Sequence, residues 1–290
     1  MKAPIYVPAS RFIFQRQGEG SYQWWRSGVG QGRIDSPSIP SSLAFNELNL
    51  LLLPKKVRSL IFEPNDLKCI HLRKVLRVKE GQLVDLAVRN GPYGKGRVTL
   101  RKDESIELQI EWASDHSNDL YPISLVVGMS RPQTCRKILD QATSLGVSSF
   151  SFFQADNSEA SYKQSSLWKS GEWISKIEGG VEQAFASYVP KCYRFSNLKE
   201  ALSEEAKLGN RKLLALDNYE ANQNLGVDTQ STAQGISLCV GPERGWSKQE
   251  RQFLNAQNYQ LRHLGPRVLR VETAVVSALG VLVSSFWEKD

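Results

Sequence analysis

The sequence lacks an apolar run long enough to cross a bilayer as a helix. Its longest, Ala274–Trp287, falls short of the roughly 20 residues such a helix needs and reads as a buried helix instead. It also lacks any Cys-x-x-Cys pair. The four cysteines, Cys69, Cys135, Cys192 and Cys239, stand far apart, which argues against a zinc ribbon and a disulfide scaffold and suits a reducing cytoplasm. The N-terminus, MKAPIYVPASRFIF, has no charged, then apolar, then small pattern, so no signal peptide is expected. Gly94-Lys95-Gly96 lacks the spacing of a P-loop. His116 and His263 have no companions spaced as metal ligands, and no metal is expected.

What is present is chain enough for one large domain or two modest ones: 290 residues, 41% hydrophobic and 23% charged, a composition that excludes wholesale disorder. The net charge of +7 is modest, but its distribution is uneven. From Pro54 to Lys102 there are 13 Lys and Arg against 4 Asp and Glu; from Asp103 to Asp119 there are six acids and no lysine or arginine. A basic face on a small domain is the electrostatic footprint of a polyanion, although such a face also serves solubility.

Residues 1–46 read as an irregular extension, with Ser21–Ser42 rich in turn formers and free of helical or strand periodicity. Residues 47–116 read as a small β-barrel. Strands are expected at Leu50–Leu53, Val57–Phe62, Gln82–Val88, Gly96–Leu100 and Ser105–Trp112, with a helix at Asp66–Arg77 and a turn at Asn90-Gly91. Ala113–Pro122 is polar and turn-rich, a linker. From 117 to 290 strands and helices alternate. Strands are expected at Ile123–Val127, Ser149–Phe153, Lys212–Leu216, Ile236–Val240 and Gln260–Leu264. Helices are expected at Thr134–Leu145, Leu167–Phe185, Asn197–Leu208, Ser247–Ala256 and Thr273–Trp287. That alternation predicts a mostly parallel sheet covered on both faces, whose ligands sit beyond the carboxyl ends of strands. The loops after Leu216, Val240 and Leu264 are therefore the places for a site.

The second of these, Gly241-Pro242-Glu243-Arg244-Gly245-Trp246, runs into Ser247-Lys248-Gln249-Glu250, a capping box at a helix start. Its glycines let backbone approach a ligand closely, though many strand-to-helix turns look the same for structural reasons. The third, Leu264 to Ala274, sets Arg267, Arg270 and Glu272 between an apolar strand and an apolar helix. Charges in such a place serve a site or a buried pair.

GPERGWSKQE with LGPRVLRVETA resembles the loop signatures of the RsmE-type 16S rRNA uridine-N3 methyltransferases of the SPOUT superfamily. HLRKVLRVKEGQLVDL (His71–Leu86), QATSLGV (Gln141–Val147) and VEQAFASYVP (Val181–Pro190) are similar to further segments of that family, so the resemblance runs from about Leu50 to Trp287. It implies a knotted α/β methyltransferase domain, with a deep trefoil knot and a mostly parallel sheet, behind a PUA-like RNA-binding barrel. It also implies a cytoplasmic homodimer acting on 16S rRNA of the small ribosomal subunit, with S-adenosylmethionine as methyl donor. The donor pocket it implies takes Leu216 from the first loop and Val240, Gly241, Pro242, Glu243 and Gly245 from the second. Leu264, Gly265, Val268, Leu269 and Arg270 come from the third. His71, Arg73, Lys74, Arg77 and Arg267 are assigned to RNA. The sequence departs from the family pattern at Arg244, Val271, Ser144, Gln141 and Ala186, mostly away from the donor loops. A methyltransferase with a different RNA target, or a non-catalytic RNA-binding or ribosome-assembly protein, therefore stands as the alternative.

Uridine N3 carries an imide proton at neutral pH, so the implied reaction needs a base, typically worth about 10²–10⁴-fold. It also needs a cation for the charge that spreads onto O2 and O4. Arg270 is assigned as the cation and Glu243 or Glu272 as the base, with a structural ion pair as the alternative role for either acid. Trp168, Trp173, Phe185 and Tyr188 are aromatic enough to stack on an extruded base, but helical spacing makes most of them core.

Overall fold

The computed structural model describes residues 50–228 and 234–287. The expected N-terminal extension lies outside the described residues. Of the two compact units into which the chain divides, Phe45–Ser285 holds both sheets discussed below.

The first sheet has the order β1-β3-β4-β5-β2, with β1 Leu50–Leu53, β2 Ser59–Phe62, β3 Leu83–Val88, β4 Tyr93–Leu100 and β5 Ile106–Trp112. β1 runs parallel to β3 and the other pairs are antiparallel. β1 is four leucines because both its faces are covered. Leu51 and Leu53 join the sheet's own core with Leu72, Leu86 and Leu108, while Leu50 and Leu52 pack against Val181 and Ala186 of the following domain. β4 begins earlier than the glycines suggest. A side chain at Gly94 would strike the Trp112 ring and the Glu111 carbonyl, so the glycine marks close packing inside a strand rather than a turn. The expected helix at Asp66–Arg77 is one α-helical turn, α1 (Leu67–Ile70), capped by Asp66, followed by a π-helical turn at His71–Val75. Arg77 then takes a left-handed backbone, φ 49°. This places Cys69 and Leu72 in the core and leaves Lys74 and Arg77 outside.

The second sheet has six strands, all parallel, in the order β11-β9-β10-β6-β7-β8. These are β6 Tyr121–Gly128, β7 Val147–Phe153, β8 Lys191–Phe195, β9 Lys212–Leu216, β10 Ile236–Val240 and β11 Gln260–Arg262. The helices are α2 Pro132–Ser144, α3 Ser166–Lys169, α4 Glu172–Gln183, α5 Leu198–Ala206, α6 Lys248–Ala256 and α7 Val271–Val283. The single helix expected at Leu167–Phe185 is broken at Gly171, whose φ of 80° no α-helix accommodates. β8 escapes the sequence reading because it is an edge strand whose side chains are half-buried at most, leaving little alternation to see. The linker is shorter than expected, since β6 already starts at Tyr121. It is also firmly tied: the His116 ring stacks on Tyr93 at 4.6 Å, its Nε2 lies 3.1 Å from Ser187 Oγ, and its carbonyl accepts from the Tyr188 hydroxyl.

Candidate functional site

Because β6, β10, β9 and β11 are parallel neighbours, their carboxyl ends share one edge of the sheet. The loops after Leu216, Val240 and Arg262 therefore emerge side by side. Of the three loops expected to carry a site, those after β10 and β11 flank the one that follows β9.

The loop after β10 is tightly held. A side chain at Gly128, the last residue of β6, would come within 2.7 Å of Pro242, so that strand must end in glycine for the loop to lie across it. Trp246 donates its indole N–H to the Leu216 carbonyl at 2.8 Å and stacks on Phe153, centroids 6.1 Å apart and rings 4° from parallel. Gly245 takes φ 70°, and its carbonyl accepts from the Asn157 amide at 3.0 Å. The expected capping box is formed: Ser247 Oγ accepts from the Glu250 N–H while Glu250 Oε2 accepts from the Ser247 N–H. Burial pushes the Glu250 carboxyl up, against the N–H groups of Ser247 and Asp156 that hold it charged.

The loop after β9 is anchored by Asp217, which was not singled out from sequence. Its buried carboxylate accepts from the N–H groups of Tyr219 and Glu220 and from Arg251 Nε at 2.6 Å, an Asx-type turn clamped by a guanidinium. An aspartate directly after a strand was the available signal, with an arginine as partner that only the fold supplies. Beyond this turn the chain comes back to β11: His263 N–H donates to the Gln223 carbonyl and Leu225 N–H to the His263 carbonyl.

The loop after β11 is loosely held by comparison. His263 Nδ1 accepts the Gly265 N–H at 3.1 Å, and Gly265 needs its glycine for φ 100°. Pro266, Arg267, Val268 and Arg270 are exposed, and neither arginine side chain has a hydrogen-bond or ion-pair partner among the described residues. Arg270 is the N-cap residue of α7.

The two acids differ. Glu243 is exposed, and its Oε1 accepts the Arg131 N–H at 2.9 Å, tying the β10 loop to the start of α2. The Arg131 guanidinium is held to its charged form by a hydrogen bond with Tyr162 and then by the fields of Tyr162 and Glu243. Glu272 pairs with Lys137 at 3.0 Å. Burial raises its pKa, but its own backbone N–H, Lys137 and Arg270 outweigh that and hold it below the usual glutamate range. The partners of these acids are thus Arg131 and Lys137, with Arg270 acting on Glu272 only through its field. The thiols offer no nucleophile: burial pushes Cys135 and Cys192 up to about 12 and raises Cys69 and Cys239 too.

The residues assigned to RNA sit on the first sheet's helical turns, apart from Arg267. His71 and Arg73 are half-exposed, Lys74 and Arg77 exposed, and Arg73 lies 3.5 Å from Glu104. Trp168 is buried against Phe152; Phe185 and Tyr188 pack at the joint with the first sheet. Ala186 is buried at that joint, Val271 is buried, and Ser144 Oγ bonds the Asp140 and Gly180 carbonyls, so these departures fill structural positions; Arg244 and Gln141 are exposed. Among the described residues no cluster of His, Cys, Asp and Glu could hold a metal ion.

The family profile for the RNA methyltransferase domain matches residues 116–283, more than half of the chain. The chain belongs to this family. Among its relatives is "Ribosomal RNA small subunit methyltransferase E" of Treponema pallidum, 26% identical over 76% of this chain and 84% of that protein. "Ribosomal RNA small subunit methyltransferase E 1" of Borreliella burgdorferi is 26% identical over 80% and 95% respectively. The RNA methyltransferase fold is also that of the Neisseria gonorrhoeae small subunit methyltransferase E bound to S-adenosyl methionine. The TM-score is 0.68, at 23% identity over 83% of this chain and 98% of that one. The α/β domain of this RNA methyltransferase carries its loops at one end of a parallel sheet, and a mostly antiparallel sheet precedes it along the chain.

Proposed function

We propose that this protein is an S-adenosylmethionine-dependent methyltransferase that modifies N3 of a uridine in 16S rRNA of the small ribosomal subunit. The observation that carries the reading is the convergence of the loops after β9, β10 and β11 at one edge of the sheet. The relatives named as small subunit rRNA methyltransferases supply the substrate class. The residues present fit a nucleoside donor. Leu216, Val240, Leu264 and Leu269 offer apolar walls, and Gly245 and Gly265 leave backbone without a Cβ in the way; Gly241 is buried in the loop after β10. A Cβ at Gly265 would meet no atom within 4 Å, so the space beside it is open. Pro242, Glu243, Val268 and Arg270 complete the proposed pocket.

S-adenosylmethionine, when bound, supplies an electrophilic methyl carbon. The chain's own residues hold the acceptor in line with it, an arrangement worth roughly 7–11 kcal/mol of barrier. Arg270, exposed and without a side-chain partner among the described residues, faces the charge that grows on the uracil oxygens as N3 loses its proton. Glu243 is the better base of the two acids, because it is exposed and carries a single hydrogen bond, whereas Glu272 is held charged by Lys137. Residues 47–116 serve as a PUA-like RNA-binding barrel, bearing His71, Arg73, Lys74 and Arg77; residues 117–290 form the methyltransferase domain. The return of the chain from β9 to pair with His263 supports a threaded, knotted loop, and the protein works in the cytoplasm as a homodimer. Mass spectrometry of rRNA nucleosides tests the function: a deletion strain loses 3-methyluridine from its 16S rRNA. An unchanged nucleoside profile overturns the assignment.

A further inference from the structure

Tyr219 is 79% exposed, among the most exposed large hydrophobic side chains of the described residues, yet its backbone and one side of its ring have partners. Its backbone N–H is fixed at 2.6 Å by the buried Asp217 carboxylate, and the Arg251 guanidinium lies 5.3 Å from its ring centroid. Arg251 is itself fixed by Asp217 and lies 3.9 Å from Glu220. A side chain built on Gly245 would lie 3.7 Å from Tyr219 Cε2, so the ring stands against the loop after β10. An aromatic ring standing in water with a guanidinium on one side buries little of its face; a planar ligand would turn that arrangement to use. Two exposed bases, Arg244 on the loop after β10 and Lys248 at the start of α6, favour a ligand that carries phosphate.

We propose that Tyr219 is a stacking platform for an unpaired RNA base entering the site, a positioning residue whose inner side is braced by Arg251 and whose outer face receives the base. This rests on the methyltransferase reading for which base is held, but not for the stacking itself. Base–aromatic stacking is tolerant of sequence and gives an RNA enzyme a way to hold a nucleotide out of its helix.

The test compares Tyr219→Ala and Tyr219→Phe in the full chain. Binding to a uridine-rich single-stranded RNA, measured without methyl donor, weakens about tenfold in Tyr219→Ala and is restored in Tyr219→Phe. With unmethylated small subunits as substrate, Tyr219→Ala raises KM by a similar factor, while calorimetric S-adenosylmethionine affinity, the unfolding midpoint and the oligomeric state stay as in the parent. RNA binding unchanged in Tyr219→Ala overturns the proposal. So does a loss confined to donor affinity, which would make the ring a wall of the donor pocket, or a changed oligomeric state, which would make it a subunit contact. If the parent protein methylates nothing but Tyr219→Ala still loses RNA affinity, the platform stands and the assigned reaction falls.

Discussion

The loops after β10 and β11 lie on the same sheet edge and are built in opposite ways. In the first, Gly241, Pro242 and Trp246 are buried, the Asn157 and Glu250 side chains hold the backbone, and the Leu216 carbonyl accepts from the Trp246 indole. In the second, Val268 is 88% exposed, both arginine side chains lack partners among the described residues, and a histidine nitrogen steadies the turn. The loop after β10 is preorganised by the core, so substitutions in it are expected to cost stability. The loop after β11 is held by little of the described structure, so its residues are expected to be separable from stability.

The contrast is broken most directly at Trp246. Trp246→Ala removes a buried aromatic and its bond to Leu216, and urea unfolding should show a loss of about 3–5 kcal/mol; S-adenosylmethionine binding should fall with it. Arg270→Ala is the counterpart on the open loop. Its stability should stay within about 0.5 kcal/mol of the parent, while kcat on isolated small subunits falls by about 10²–10³-fold. Full methylation by Arg270→Ala would sink the cation assignment, and a large stability loss would sink the claim that the open loop is separable. The smallest effect sharpens the link between α2 and α7. Glu272 has its pKa lowered in the fold, so its charge stabilises the protein at neutral pH and that contribution disappears as pH falls through the carboxylate range, below about pH 4. The stability difference between the parent and Glu272→Gln should therefore be present at pH 7 and shrink to nothing in acid. A difference independent of pH would mean that packing, rather than the charge beside Lys137, makes the contact.

Much of this architecture was readable without coordinates. β1, β9 and β10 fall where their apolar runs end, and the capping box at Ser247 marks the start of α6 to the residue. The readings that failed share a cause. The strand expected from Gly96 begins at Tyr93, because the side chain missing at Gly94 makes room for Trp112. The π-helical turn at His71–Val75 arises where Leu72 must reach the core, and β8 is hidden because an edge strand need not alternate. Tyr188 looks like a stacking candidate but serves the linker, through its bond to the His116 carbonyl.

The amino-acid order by itself determined the alternation of strands and helices, the glycine-bearing turns at strand ends, and the basic character of the N-terminal part. All are consequences of side-chain periodicity and backbone freedom over a few neighbouring positions. Tertiary structure alone decided which charges find partners: that Lys137 takes Glu272, that the Arg131 amide takes Glu243, that Arg251 clamps Asp217, and that Arg267 and Arg270 are left over. Those outcomes depend on the lateral order of parallel strands, which brings together groups far apart along the chain, and no local pattern encodes which strand lies beside which.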